Sequence, residues 1–257
     1  LFLEVIKMKT KRKLPDKEKI SKRKEYMKDM EKLIAIEPQS RTPPRGMEPG
    51  NGKTGNCGKL FDQIFVWNLP PVITCPGISE WCKSNCYNAD DRSEKFPINM
   101  WCENLWWVLN NKEALEKKII SQLGEYKTKR IAVRIHSSGD FFSKEYIRFW
   151  EDIIQQNPEV NFWAYTRSWA IEELEEEIKK LGELDNMKLI LSWDETMTQP
   201  PDGFARSIVL SSNEEVILAA NKKDEVVCPE QYSLVSGCAD CGICINNLSG
   251  AVYFVVH

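Results

Sequence analysis

Long apolar runs are missing from this 257-residue sequence, and no window approaches 18 consecutive apolar residues, which excludes a transmembrane helix. The start shows no basic region followed by an apolar stretch and a small-residue cleavage site, so the expectation is a cytoplasmic protein without a membrane partner. Internal repeats and low-complexity tracts are absent as well, which excludes solenoids and disordered polymers. The cysteines do not form the usual zinc pattern of two CxxC knuckles across a longer loop, nor a Cys/His mixture. Their number, nine, is odd, which leaves at least one unpaired thiol and weighs against a disulfide framework.

What is present is a core and two dense groups of thiols. A hydrophobic content of 42% with nine Trp is enough to build one sizeable core. Seven cysteines fall into two constellations. Cys75, Cys82 and Cys86 have C-x6-C-x3-C spacing in CPGISEWCKSNCYNAD. Cys228, Cys238, Cys241 and Cys244 have C-x9-C-x2-C-x2-C spacing in CPEQYSLVSGCADCGIC. The CxxCxxC run is the spacing by which ferredoxin loops wrap three corners of an iron–sulfur cube, and the distant Cys228-Pro229 suits the fourth ligand. A set of four closes a [4Fe–4S] cluster. A set of three leaves one iron open, unless Cys57 or Cys102 completes it. Structural zinc is the alternative occupant.

Charge is distributed unevenly. Residues 1–32 carry twelve Lys/Arg against six Asp/Glu, and the remainder carries 23 against 32. Residues 1–36 read as a basic amphipathic helical extension, with Ile20, Met27, Met30 and Ile34 at helical spacing. Such an arm is either a solvated face docked on the body or a nucleic-acid contact. Residues 37–54 hold four Pro and three Gly and read as a linker, leaving 55–257 as the main domain with its Cys-rich segment 228–244.

Strands are expected at 62–68, 131–136, 161–166, 188–193, 206–211 and 251–256, from β-branched and aromatic content. Residues 92–123 read as two helices meeting near Asn110-Asn111, with Trp101, Leu105, Trp106 and Leu109 on one face. Helices are also expected at 142–157 and 169–182. Strands alternating with helices imply parallel crossovers, and the expected fold is α/β, a partial (β/α) barrel of mainly parallel strands. In such a layout functional residues gather where strands end. The strand ends carry the Cys75–Cys86 loop, then His136, Ser138, Gly139 and Asp140, then Thr166 and Arg167, then Ser192 and Asp194. His136, Asp140, Arg167 and Asp194 are the candidate catalytic residues. Ser138, Gly139, Asp140, Thr166 and Ser192 are candidates for holding a cofactor. His136 would carry protons near neutrality, Arg167 would hold a carboxylate or phosphate, and the two aspartates would receive a cationic or amine group. For Asp140, capping of the following helix is the plainer alternative.

Across residues 50–257 the chain resembles the phage gene product 88 family. The resemblance rests on NGKTG (51–55), the CP…C…CYNA loop, RIHSSGDFFSKEYIRFW, FWAYTRSW, LSWDE and the terminal Cys-rich segment. It implies a phage or mobile-element protein but no activity. A looser resemblance in layout is to radical-SAM enzymes, where a three-cysteine loop follows the first strand and a GGE-type segment ends the second. Here the spacing is C-x6-C-x3-C rather than C-x3-C-x2-C, and Ser138-Gly139-Asp140 carries Asp in place of Glu. That resemblance implies S-adenosylmethionine as a cofactor and a redox or radical enzyme acting on a small-molecule or macromolecular substrate. The alternative expectation is a zinc-stabilised nucleic-acid-binding accessory protein.

Overall fold

A computed structural model describes residues 44–89, 95–219 and 225–255. The expected basic helix over 1–36, with any nucleic-acid contact it would make, lies outside the described residues.

The organising element is an eight-stranded sheet in the order β1-β2-β3-β4-β5-β6-β8-β7. Its strands are β1 (Glu48–Pro49), β2 (Gln63–Trp67), β3 (Ile131–Ile135), β4 (Asn161–Thr166), β5 (Met187–Trp193), β6 (Ala205–Leu210), β7 (Glu225–Val227) and β8 (Ala251–Val255). All neighbours pair in parallel except β1, which runs antiparallel to β2 with Glu48 opposite Val66. The fold is therefore α/β with a mixed, mostly parallel sheet. From β2 to β6 each strand is laid beside the one before it.

Period-2 alternation assigns the two faces. Phe65 and Trp67 of β2, Ile131, Val133 and Ile135 of β3, Phe162 and Ala164 of β4, and Leu189 and Leu191 of β5 belong to one large core. The helices pack there: α2 (Lys95–Asn110), α3 (Lys112–Gly124), α4 (Lys144–Gln155) and α5 (Glu175–Gly182), contributing Leu105, Ile119, Trp150 and Leu181 among others. The intervening residues Ile64, Val66, Ala132 and Trp163 turn to the other face and meet Ala239 and Ile245 of the Cys-rich segment. The segment therefore covers the side that the helices leave uncovered.

Local sequence explains most boundaries. Asn111 separates α2 from α3 because its side chain accepts the Ala114 N–H at 3.2 Å and caps the second helix. Ser143 caps α4 through the Tyr146 N–H, and that helix buries Tyr146, Phe149, Trp150 and Ile153 as the spacing requires. In α2 the buried stripe is Trp101, Leu105 and Val108 with Trp107, while Leu109 is 56% exposed, so the expected stripe is shifted by one position. The helix expected over 169–182 is cut short. Trp169 donates its indole N–H to the Ser192 carbonyl and Ile171 is extended, so two 3-10 turns precede α5. The Pro/Gly-rich stretch expected to be a linker is, from residue 44 on, part of the body. Met47 is buried, and its N–H and C=O both bond to the Gln122 side chain.

Two cysteine-lined cavities on one face of the sheet

The first cysteine loop follows β2 and folds back over the ends of β3 and β4. Asn68 organises it, accepting the Ser137 and Ser138 N–H groups at 2.8 and 3.0 Å. Leu69 N–H reaches the Ser138 carbonyl at 2.9 Å. Glycine is needed twice. A Cβ on Gly77 would lie 2.0 Å from the Arg167 carbonyl oxygen, and one on Gly139, whose φ is +85°, would lie 2.6 Å from Leu69 Cβ. Ser79 then caps the short helix α1 (Glu80–Ser84), accepting the Cys82 N–H at 3.0 Å.

Asp194 anchors that cap. It accepts the Ser79 hydroxyl and the Arg167 guanidinium on one oxygen, and the Thr196 N–H and hydroxyl on the other. The Arg167–Asp194 pair is 2.6 Å long with side chains 9% and 4% exposed. Burial alone would raise the Asp194 carboxyl, but the hydrogen bonds from Ser79 and Thr196 and the Arg167 charge outweigh it and hold it below its ordinary value. Asp140 is likewise engaged. It accepts the Phe141 N–H, the Arg167 N–H and the Thr166 hydroxyl, the last at 2.6 Å, and burial raises its carboxyl despite them. Asp140 does not cap α4, a task that falls to Ser143.

These contacts bear on three expected roles. Arg167 holds Asp194 rather than presenting an unpaired fork to a ligand. Asp140 and Asp194 spend their oxygens on the protein's own donors rather than on an incoming amine. His136 does not titrate near neutrality, because burial, with the Arg134 charge, pushes it down to about 3.

The strand ends nevertheless converge. One cavity of about 230 Å³ is lined by Cys75, Cys82, Cys86, His136, Ser138, Gly139, Asp140, Arg167 and Ser192. Thr166 and Asp194 stand behind this wall, bonded to Asp140 and Arg167. A second cavity, of about 40 Å³, is lined by Cys228, Cys238, Cys241 and Cys244. Lys53, Arg134, Tyr165 and Phe254 line both, so they form the partition between the two thiol sets. Lys53 Nζ lies 4.6 Å from the Phe254 ring centroid, and the Arg134 guanidinium 5.3 Å from that of Tyr165.

None of these four was a candidate from the sequence. Alternation along β3 and β4 places Arg134 and Tyr165 on the face opposite the helices, and that was the available signal. Lys53 lies in NGKTG, whose shape the contacts explain. Asn51 Oδ1 accepts the Lys53 and Thr54 N–H groups, and the Lys53 and Thr54 carbonyls then accept the N–H groups of Cys238 and Ala239. The motif is a seat for the short helix α7 (Cys238–Cys241).

The donor chemistry of both sets fits a cationic metal centre. All nine cysteines are free thiols. Burial pushes Cys75 well above its ordinary value, with the Asp140 charge and the neighbouring Cys86 and Cys82 adding to the rise. Burial likewise raises Cys82 to about 11, Cys238 to about 11 and Cys244 to about 12. Each set would have to gain positive charge before its sulfurs could all ionise, which is what a metal supplies. Among the described residues, no three His, Cys, Asp or Glu side chains are drawn together as a metal-ion site. Cys57 is exposed and Cys102 is buried, and neither lines either cavity.

Residues 40–247 match the family described as Gene product 88. The chain belongs to the gene product 88 family. Two phage relatives are similar to it. The Gene 88 protein of Mycobacterium phage L5 is 26% identical over 200 residues, covering 70% of this chain and 82% of the relative. That of Mycobacterium phage D29 is 24% identical over 201 residues, with the same coverage. No solved structure matches the chain. The family match takes in NGKTG, both cysteine sets and every strand-end residue described above. No helix among the described residues is long and apolar enough to cross a membrane.

Proposed function

We propose that this gene product 88 protein is an iron–sulfur redox enzyme with two centres, one closed and one open. The observation that carries the reading is the partition. Two thiol sets line adjoining cavities on the same face of a parallel sheet, separated by Lys53, Arg134, Tyr165 and Phe254. Cys228, Cys238, Cys241 and Cys244 would hold the closed centre under the sheet. Cys75, Cys82 and Cys86 would hold the open one at the strand ends, in the position that a partial (β/α) barrel reserves for chemistry. A bound cluster would supply one-electron transfer and, at an iron without a thiolate ligand, a Lewis-acidic site.

The chain's own residues set the conditions. Arg167, Asp194 and Ser79 fix the helix that carries Cys82. Gly77 and Gly139 allow the loop to lie flat on the strand ends. Pro71, Ile78, Trp81, Val209 and Phe254 supply the apolar part of the wall and displace water from the reacting space.

Anaerobic purification followed by iron, sulfide and zinc analysis tests the reading. The expected protein is brown and contains iron and acid-labile sulfide. Replacing Cys75, Cys82 and Cys86 together with Ala removes one centre's share of the iron, and Cys241→Ser removes the other. A colourless protein holding stoichiometric zinc, or iron content unchanged by both variants, overturns the proposal.

A further inference from the structure

The wall of the larger cavity is unbalanced in hydrogen bonding. Lys53, Arg134, Arg167 and Asp140 line it, with Arg167 paired to Asp194 behind the wall and Lys53 lying 3.9 Å from Glu230. Polar atoms buried without a partner on its side chains include the acceptor Asn85 Oδ1 and the groups His136 Nδ1 and Ser138 Oγ, and His136 and Ser138 are each 3% exposed. They stand two positions apart on the loop that Asn68 pins in place.

The protonation of His136 follows from its neighbours. The Tyr146 oxygen accepts the Trp67 indole N–H at 2.9 Å and lies 2.8 Å from His136 Nε2. The phenolic proton satisfies Nε2 when Tyr146 donates it there, which leaves the proton of the neutral imidazole on Nδ1. The ring's other nitrogen is therefore an N–H donor without an acceptor, and Ser138 adds an O–H. Buried donors are normally paired, and leaving one unpaired costs about 1–3 kcal/mol. The cavity of about 230 Å³ has room for a small molecule and not for a folded polymer.

We propose that this cavity binds a small anionic molecule whose carboxylate or phosphate oxygen accepts hydrogen bonds from His136 Nδ1–H and Ser138 Oγ–H, beside the Lys53 and Arg134 side chains that line the same wall. The proposal takes from the redox reading only that this cavity is where substrate lies, and it assigns that substrate a class. His136 serves as a fixed neutral donor, so it holds the anion without competing for protons at neutral pH.

Titration calorimetry on the full-length protein, with metal content measured on the same sample, tests the inference. The probes are inorganic phosphate, succinate and, as a cationic control, putrescine. Phosphate or succinate is expected to bind and putrescine is not, and whichever anion binds identifies the acid group. Ser138→Ala should weaken anion binding by about tenfold, the loss of one hydrogen bond to a charged group. Ser138→Asp should abolish it by placing a carboxylate in the same space. Failure of both anions at millimolar concentration, putrescine binding as well as either anion, or anion binding that survives Ser138→Asp overturns the proposal. The probe comparison uses the unaltered protein, so the inference stands or falls even if a variant fails to fold. Anion binding by a protein without iron overturns the redox reading alone. Iron-loaded protein without anion binding overturns this inference alone.

Discussion

At the end of β3, His136 adopts a φ of +67° and turns one ring nitrogen into the core. Its burial has a measurable consequence for pH dependence. The folded-state value of about 3 lies below the ordinary value of about 6.5, so between these limits the unfolded chain binds a proton that the folded one does not. The stability this group contributes is therefore full above about pH 6.5 and falls as the pH drops towards 3. At about pH 5 the loss amounts to roughly 2 kcal/mol. Urea denaturation of the native protein and of His136→Gln at both pH values checks this, and the variant should show the smaller difference by about that amount. An identical acid loss in both proteins would place the pH sensitivity elsewhere. At this scale the sequence disclosed the strand-end residues but not the partners they bond to. His136, Asp140, Arg167 and Asp194 were identifiable because they follow strands. That Arg167 pairs with Asp194, and that Asp140 is taken up by the Thr166 hydroxyl and the Arg167 N–H, depends on contacts between residues 26 to 27 positions apart.

Among the elements, the loop from Cys75 to Cys86 depends most on exact fit. Its path passes so close to the end of β4 that Gly77 has no room for a methyl group against the Arg167 carbonyl. Gly77→Ala must therefore lift the loop, breaking the alignment of Ser79 with Asp194 and freeing the capped end of α1. We expect the sheet and helices of Gly77→Ala to survive, because the large core lies on the opposite face and includes no residue between Ile73 and Gly77. Limited proteolysis within 75–89 should be faster than in the native protein, and iron should fall by one centre's share. Unchanged cleavage would show that the loop absorbs the methyl group by another route. Elements with strong periodicity were legible: β4 spans the expected 161–166, and α2 and α3 divide at Asn111. Elements decided by tertiary contact were not. The two-residue β1 and three-residue β7 carry no pattern long enough to register, and the helix expected from 169 starts late because Trp169 is tied to β5.

For the molecule as a whole, the sheet has helices on one face and the Cys-rich segment on the other, so under the proposed function the two layers should respond differently to loss of metal. Ile64, Val66, Ala132 and Trp163 depend for their burial on Ala239, which lies within a four-residue helix, and on Ile245, three residues beyond the Gly242 that ends it. A segment this short has little helical stability of its own. Its position is fixed by the NGKTG seat, by Asp240 accepting the Lys59 N–H and the Ser236 hydroxyl, and by whatever Cys238, Cys241 and Cys244 jointly hold. Metal binding at such a site is coupled to folding. Cys241→Ser should therefore do more than lower iron content. It should loosen the segment and expose Trp163, lowering the melting temperature and shifting tryptophan emission to the red. The Cys75, Cys82 and Cys86 triple Ala variant should lose an equal share of iron with a much smaller change in melting temperature, because its loop covers strand ends rather than a core. Equal destabilisation by the two variants would contradict the division of the protein into a structural centre under the sheet and an open centre at its edge. Retained iron and an unchanged melting temperature in Cys241→Ser would remove the C-terminal centre from the description altogether.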